Sequence, residues 1–429
     1  MRSFLHLELC VSQLIPFIVR SARGENRILS QKVQELTAKL QALNIENQSL
    51  LAEVEMYRKE AALSGSSKLA LGQARPPEPK NSPEGANMDH FVCSGNGVFP
   101  VEAAVTLHNL HGASNPLCCA LSREDTILAT GGADSHLVLC QWGASLAPDP
   151  EAANKVVRSA IRTPCHAPVI CTSFSPTDNL VAGGCMDGSL TVLTYTTVGL
   201  GGGLEIQPLQ VSVKHAKYVK SMTWSPKGQP ILATASADGT IALSKFQQGK
   251  METMTTLHLP GPVETLCFSE DGKLLFCYTR GTPYLSSFDL EKNYEQTKIN
   301  LNGGGGGGFV DHVSFAVMDM AVRGKYLALA TDTSRNIIFH LDENRPVRNL
   351  YGHTNDGYSQ PKLGFSQNGQ YILGNTQDDA TVCVWDIAST TIVKRLVGHG
   401  QPVRALYSSP HSDTLVTTSF DKKIMIWLA

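Results

Sequence analysis

A histidine, a serine and an aspartate near the C-terminus, His399, Ser419 and Asp421, have the residue types of a nucleophile triad. Such a triad works when the histidine takes the serine proton and preset N–H groups receive the oxyanion. No GxSxG elbow surrounds Ser419, and no oxyanion donor accompanies it. Elsewhere the chain has no HExxH pair, no P-loop and no paired carboxylates in an acid/base setting. The glycine run at Asn302 to Gly308 is followed by Phe309-Val310-Asp311, not by a helix opening with Lys-Ser/Thr. It reads as a mobile loop rather than a phosphate cradle. The expectation is a non-enzyme that uses no metal and no cofactor.

Bulk properties narrow the partners. With a net charge of −2 and 17% charged residues, the 429-residue chain offers nothing for a polyanion. Its 11 cysteines fall mostly in apolar runs, as at Cys171, Cys185, Cys267 and Cys383, with no CxxC spacing. They read as reduced core residues, which points to the cytoplasm, with the nucleus as the alternative.

The elements that must position His399, Ser419 and Asp421 are three short strands within 398–428. Val403 to Tyr407, Thr414 to Ser419 and Ile424 to Trp427 are β-branched or alternating runs separated by turns. Three strands cannot bury both faces of their own sheet, so this unit needs copies beside it. Aligning on a His before the first strand and an Asp between the second and third gives seven units, starting at 111, 166, 215, 261, 312, 353 and 399. Their marks are His111 with Asp134, His166 with Asp187, His215 with Asp238, a fourth unit with neither, His312 with Asp332, His353 with Trp385, and the last unit with all four residue types. The chain ends one strand short of a four-stranded blade, and residues 104–110 form a strand with no unit of its own. Pairing the two closes the ring and hides the terminal sheet edges.

Over about residues 103–429 this pattern resembles the WD-repeat β-propeller family. The fold class is therefore all-β, a seven-bladed WD-repeat β-propeller preceded by an N-terminal α-helical coiled coil. The resemblance implies that His399, Ser419, Asp421 and Trp427 form a structural hydrogen-bonded relay, His to Asp and Ser to His and Trp, pinning one blade. It also implies a binding module that contacts partners around the channel mouth. One contact set is the residue after each inner-strand anchor: Cys118, Ile170, Lys220, Glu264, Met318, Lys362 and Arg404. The other precedes each turn aspartate: Ala133, Met186, Ala237, Thr279, Thr331, Asp378 and Phe420. Lys362 and Arg404 fall on neighbouring blades near Phe420 and Tyr358, a basic and aromatic patch suited to an acidic or phosphorylated peptide.

The domains follow. Residues 1–23 are an apolar segment of helical character, too short and too interrupted by Glu8, Gln13 and Pro16 to span a membrane. Residues 24–63 carry five heptads: Leu29, Leu36, Leu43, Leu50 and Tyr57 in one row, and Val33, Leu40, Asn47, Val54 and Ala61 in the other. The apolar stripe demands a partner, and Asn47 at a core position favours a two-stranded homodimer. Residues 64–98, rich in Pro, Gly, Ser and Asn, read as a flexible linker, and 99–429 as the propeller. Just upstream of the heptads only Arg20, Arg23 and Arg27 are basic, too few for direct nucleic-acid binding. The reading is a non-catalytic scaffold or adaptor for protein partners. The layout also resembles Groucho/TUP-type corepressors and coiled-coil-propeller effectors of membrane trafficking or autophagy, which stand as alternatives.

Overall fold

A computed structural model of the chain describes residues 98–142, 150–198, 203–301, 314–355, 360–377 and 379–429. The proposed coiled coil at 24–63, the glycine run, His312 and Tyr358 lie outside these described residues. The described chain is all-β apart from one helix and consists of seven sheets around a ring, six four-stranded and antiparallel, while blade three gains a fifth strand, Gln210–Val211, paired parallel with Lys250–His258. Blade seven alone mixes the two ends of the domain. Its inner strands Val403–Ser408, Leu415–Ser419 and Lys423–Leu428 are completed by Glu102–His108, which pairs antiparallel with Lys423–Leu428.

Seven apolar clusters hold the ring together, and each fills the space between two adjacent blades. Leu137, Val169 and Val181 join blades one and two, while Phe276, Leu329 and Phe339 join four and five. The cluster between blades seven and one draws in Val105 and Leu107 from the closing strand, both buried, with Leu128, Val416 and Ile426. Each such side chain withdrawn from water stabilises the fold by about 1.5–3 kcal/mol. Strand alternation makes this possible, because successive side chains reach the two neighbouring blades in turn.

The sequence reading has no counterpart for the helix Pro150–Ser159. Its signal is there: Ala153, Val156 and Val157 make an apolar stripe at helical spacing, with Glu151 in the first turn and Arg158 in the last. The stripe packs beside Val105, Leu107 and Trp142. No helix among the described residues is long and apolar enough to cross a membrane.

Candidate binding site at the channel mouth

In blade seven the relay exists, with one member different from the sequence expectation. His399 Nδ1 lies 3.2 and 3.3 Å from the Asp421 carboxylate oxygens, and Nε2 lies 2.7 Å from Thr417 Oγ1. The Trp427 indole N–H donates to that same hydroxyl at 2.9 Å. Ser419 is not in the relay: its hydroxyl donates to the Gln401 carbonyl at 2.7 Å and accepts the Asp421 N–H at 3.2 Å. Thr417 and Ser419 are two apart and share a strand face, so residue type alone does not separate them. The bond order is self-consistent. Trp427 donates to Thr417, Thr417 donates to Nε2, and Nδ1–H donates to Asp421, whose carboxylate also accepts the Gly400 and Lys423 N–H groups. Burial lowers the His399 pKa, which keeps the ring neutral as this chain requires, and its side chain is 1% exposed. The nitrogen a catalytic base would use is bonded to Thr417 inside the blade.

The same hydroxyl position recurs four residues before the aspartate. His111 takes Thr130 at 3.0 Å and Asp134 at 2.8 Å, and His215 takes Thr234 at 2.9 Å. In blade six the position is Gly374: Ile372 pairs with Trp385 as Leu415 pairs with Trp427, and two residues on stand Gly374 and Thr417. A side chain there would press on the Trp385 ring. With no hydroxyl present, Trp385 donates to the Tyr351 carbonyl, and neither ring nitrogen of buried His353 has a hydrogen-bond partner among the described residues. Burial lowers the His353 pKa to about 4.

Blade two corrects the alignment itself. The N–H of Cys165 bonds the Ser135 carbonyl as that of His215 bonds the Gly188 carbonyl, and each residue lies four before its strand anchor, Val169 or Val219. Cys165 therefore holds the relay position, while His166 next to it is exposed.

The contact sets converge on the channel. In six of the seven innermost strands the register slips by one residue just after the anchor, at Leu117, Ile170, Lys220, Glu264, Met318 and Arg404. Each extra residue is a β-bulge that re-aims one side chain. In blade six Lys362 stands directly before the short strand Leu363–Phe365. Ile170, Lys220, Glu264, Met318, Lys362 and Arg404 line one cavity at the mouth, and four of them, Ile170, Lys220, Lys362 and Arg404, also line a larger cavity of about 350 Å³. In blade one the bulge residue is Leu117. Cys118, expected there, is buried with its thiol 3.7 Å from the Val169 carbonyl.

The rim set needs two similar corrections. Rim residues bond their N–H to the carbonyl just before the anchor of their own blade, as Phe420 does to Pro402 and Ala237 to Tyr218. By that bond blades four and five present Arg280 and Asp332, whereas Thr279 and Thr331 are buried. Phe420 is 37% exposed on the rim. Asp378 and Tyr358 lie outside the described residues.

Charge at the mouth is unevenly compensated. The buried Glu264 carboxylate holds Lys220 at 2.5 Å and Arg280 at 3.1 Å. Lys362 pairs with Asp319 from blade five at 3.1 Å, so it is less available than the sequence suggests. Arg404 has no hydrogen bond or ion pair among the described residues, and burial lowers its pKa. A guanidinium stays charged at any ordinary pH, so Arg404 is a half-buried cation that is only partly solvated.

Comparison with known proteins agrees with this geometry. The family described as WD domain, G-beta repeat matches residues 158–192, 206–243, 344–386 and 390–427. Over 135 residues the chain is 32% identical to the WD repeat-containing protein srw1 of Schizosaccharomyces pombe (strain 972 / ATCC 24843). That match covers 31% of this chain and 21% of the relative.

Proposed function

The chain belongs to the WD-repeat β-propeller family, and from that premise we propose that it is a non-catalytic interaction scaffold whose propeller holds an acidic or phosphorylated segment of a partner protein at the channel mouth. One observation carries the reading: Arg404 is a half-buried cation with no partner among the described residues, in a mouth where four cations, Lys220, Arg280, Lys362 and Arg404, meet three carboxylates, Glu264, Asp319 and the rim Asp332. A carboxylate or phosphate can be forked by Arg404, with exposed Phe420 beside it on blade seven to exclude water. Lys362 contributes through the field it shares with Asp319 rather than as a free partner. Dimerisation through 24–63 belongs to the same proposal, since two linked propellers would add avidity for a client with two such segments.

The test is a display library of short peptides in which phosphoserine, glutamate and neutral residues are matched by position, bound to the full chain and to Arg404→Met. Enrichment of anionic peptides that Arg404→Met abolishes supports the proposal. Enrichment of neutral peptides, or anionic binding indifferent to Arg404, refutes it.

A further inference from the structure

We propose that a groove at the outer edge of the gap between blades four and five takes a short segment of a partner protein whose aromatic side chain is flanked by lysine or arginine. One backbone bond marks equivalent positions around the ring: an N–H near the end of the third strand bonds the carbonyl just before the second strand. Through that bond Trp142, Tyr195, Phe246, Leu290, Leu341 and Ile387 hold the same place in blades one to six. Blades one to three have a large ring there, packed on the preceding blade. Where the residue is smaller, a second ring compensates. Tyr294 joins Leu290 between blades three and four, and Tyr326 joins Ile387 between five and six, its ring edge-on to His340 with centres 5.1 Å apart. Between blades six and seven, Phe99 stands edge-on to Tyr371 at 4.7 Å. Among the described residues Leu341 has no such companion, because the strand start held by Tyr326 in blade five and Tyr371 in blade six is Leu274 in blade four.

The two leucines leave a cavity of about 670 Å³. Cross-strand pairing sets its blade-four wall: Leu274 lies opposite Asp289 and Asp289 opposite Glu295, while Phe276, Ser287 and Thr297 form the next row on the same sheet face. Leu274, Phe276 and Ile299 make an apolar floor, faced from blade five by Leu341. A cleft of this size and lining accepts an aromatic ring, and the floor supplies most of the affinity. The walls choose the charge. Five carboxylates, Glu270, Asp271, Asp289, Glu295 and Asp342, meet three ammonium groups. Lys292 holds Asp289 at 3.4 Å, Lys325 holds Asp342 at 2.7 Å, and Lys298 sits 4.4 Å from the centre of the Tyr284 ring. Glu270, Asp271 and Glu295 are exposed and have no ion pair among the described residues. A cation beside the aromatic anchor complements these three, and an anion there is repelled. Exposed charges of this kind set preference and encounter more than affinity.

The groove is separate from the channel mouth. Leu274 begins the strand that ends one residue before Arg280 on the rim, so the two sites lie at opposite ends of that strand and share no lining residue. The inference therefore stands without the anionic site at Arg404, and one partner can engage both.

The experiment displays short peptides in which one position is Trp, Phe, Leu or Ala and its neighbours are Lys, Glu or Gln, and binds them to the full chain, Leu341→Trp, Glu295→Lys and Arg404→Met. Aromatic peptides with lysine neighbours should be enriched on the full chain and should bind Arg404→Met equally well. Leu341→Trp supplies the ring that blades one to three already have, so it should keep or raise the melting temperature and weaken these peptides at least about tenfold. Glu295→Lys, on the exposed outer strand, leaves the floor intact and should keep the aromatic preference while moving the flanking preference from Lys towards Glu. Carbodiimide crosslinking of the full chain reads the remaining occupant. A bond from Glu295 to a lysine of residues 1–97, with no peptide enriched, would assign the groove to this chain's own N-terminal segment and overturn the proposal. No aromatic enrichment, binding equal in Leu341→Trp, an unchanged flanking preference in Glu295→Lys, or binding lost in Arg404→Met overturns it as well.

Discussion

Thr417 Oγ1 lies 2.7 Å from His399 Nε2 and 2.9 Å from Trp427 Nε1, so one hydroxyl joins the first and third strands of blade seven. Replacing it with a β-branched methyl would leave two buried ring nitrogens unpaired. Thr417→Val is therefore expected to cost about 2–4 kcal/mol of unfolding free energy in urea. Ser419→Ala, outside the relay, should cost about 1 kcal/mol. Equal losses would mean the two hydroxyls share the role.

Acid should weaken the fold before the carboxylates titrate. The pKa values of His111, His215 and His399 are lowered mainly by burial, and that of His353 falls from the ordinary 6.5 to about 4. Folded values below unfolded ones mean stability is whole above about pH 6.5 and is lost as pH falls towards the folded values. Between those limits the unfolded chain takes up protons that the folded chain refuses. The expected result is a melting temperature that drops from pH 7 to pH 4. His353→Phe, which keeps an aromatic edge on Trp385, should flatten that drop by up to about 3 kcal/mol. An unchanged slope in His353→Phe would assign the acid sensitivity elsewhere.

Deleting residues 99–112 removes the strand paired with Lys423–Leu428 and the apolar side chains of Val105, Leu107 and Leu110. The expected product is aggregated or readily proteolysed, because blade seven is left with an open edge. A soluble truncation that unfolds cooperatively would show that ring closure is dispensable.

The segment 24–63 is expected to sediment as a parallel dimer when isolated. Asn47→Leu should raise its thermal stability while broadening its oligomer distribution. A monomeric segment would move any self-association elsewhere in the chain.

Much of the fold was legible because blade strands are local: Val403 to Tyr407 and Ile424 to Trp427 announce themselves by alternation and β-branching. The site was legible in part. The sequence alignment found six of the seven channel-facing residues, since the strand anchors are mostly valines, and slipped at Cys118, where Pro116 replaces one. It mistook Ser419 for Thr417 because both hydroxyls lie on one strand face, although a Thr four residues before Asp134, Asp238 and Asp421 was a usable signal. It chose His166 over Cys165 because it searched for a residue type rather than a backbone position. The pairing of Lys362 with Asp319, and of Lys220 and Arg280 with Glu264, was hidden for another reason. Apart from Arg280 with Glu264, the partners sit on different blades, and only the closed ring brings them together.

The most direct test of the central claim is the affinity of the full-length chain for the best anionic peptide from the matched library, measured against Arg404→Met by fluorescence anisotropy at several salt concentrations. The account predicts binding that weakens with salt in the native chain, and at least a tenfold weaker, salt-insensitive remainder in Arg404→Met at unchanged melting temperature. Equal affinity and equal salt dependence in the two chains would contradict it.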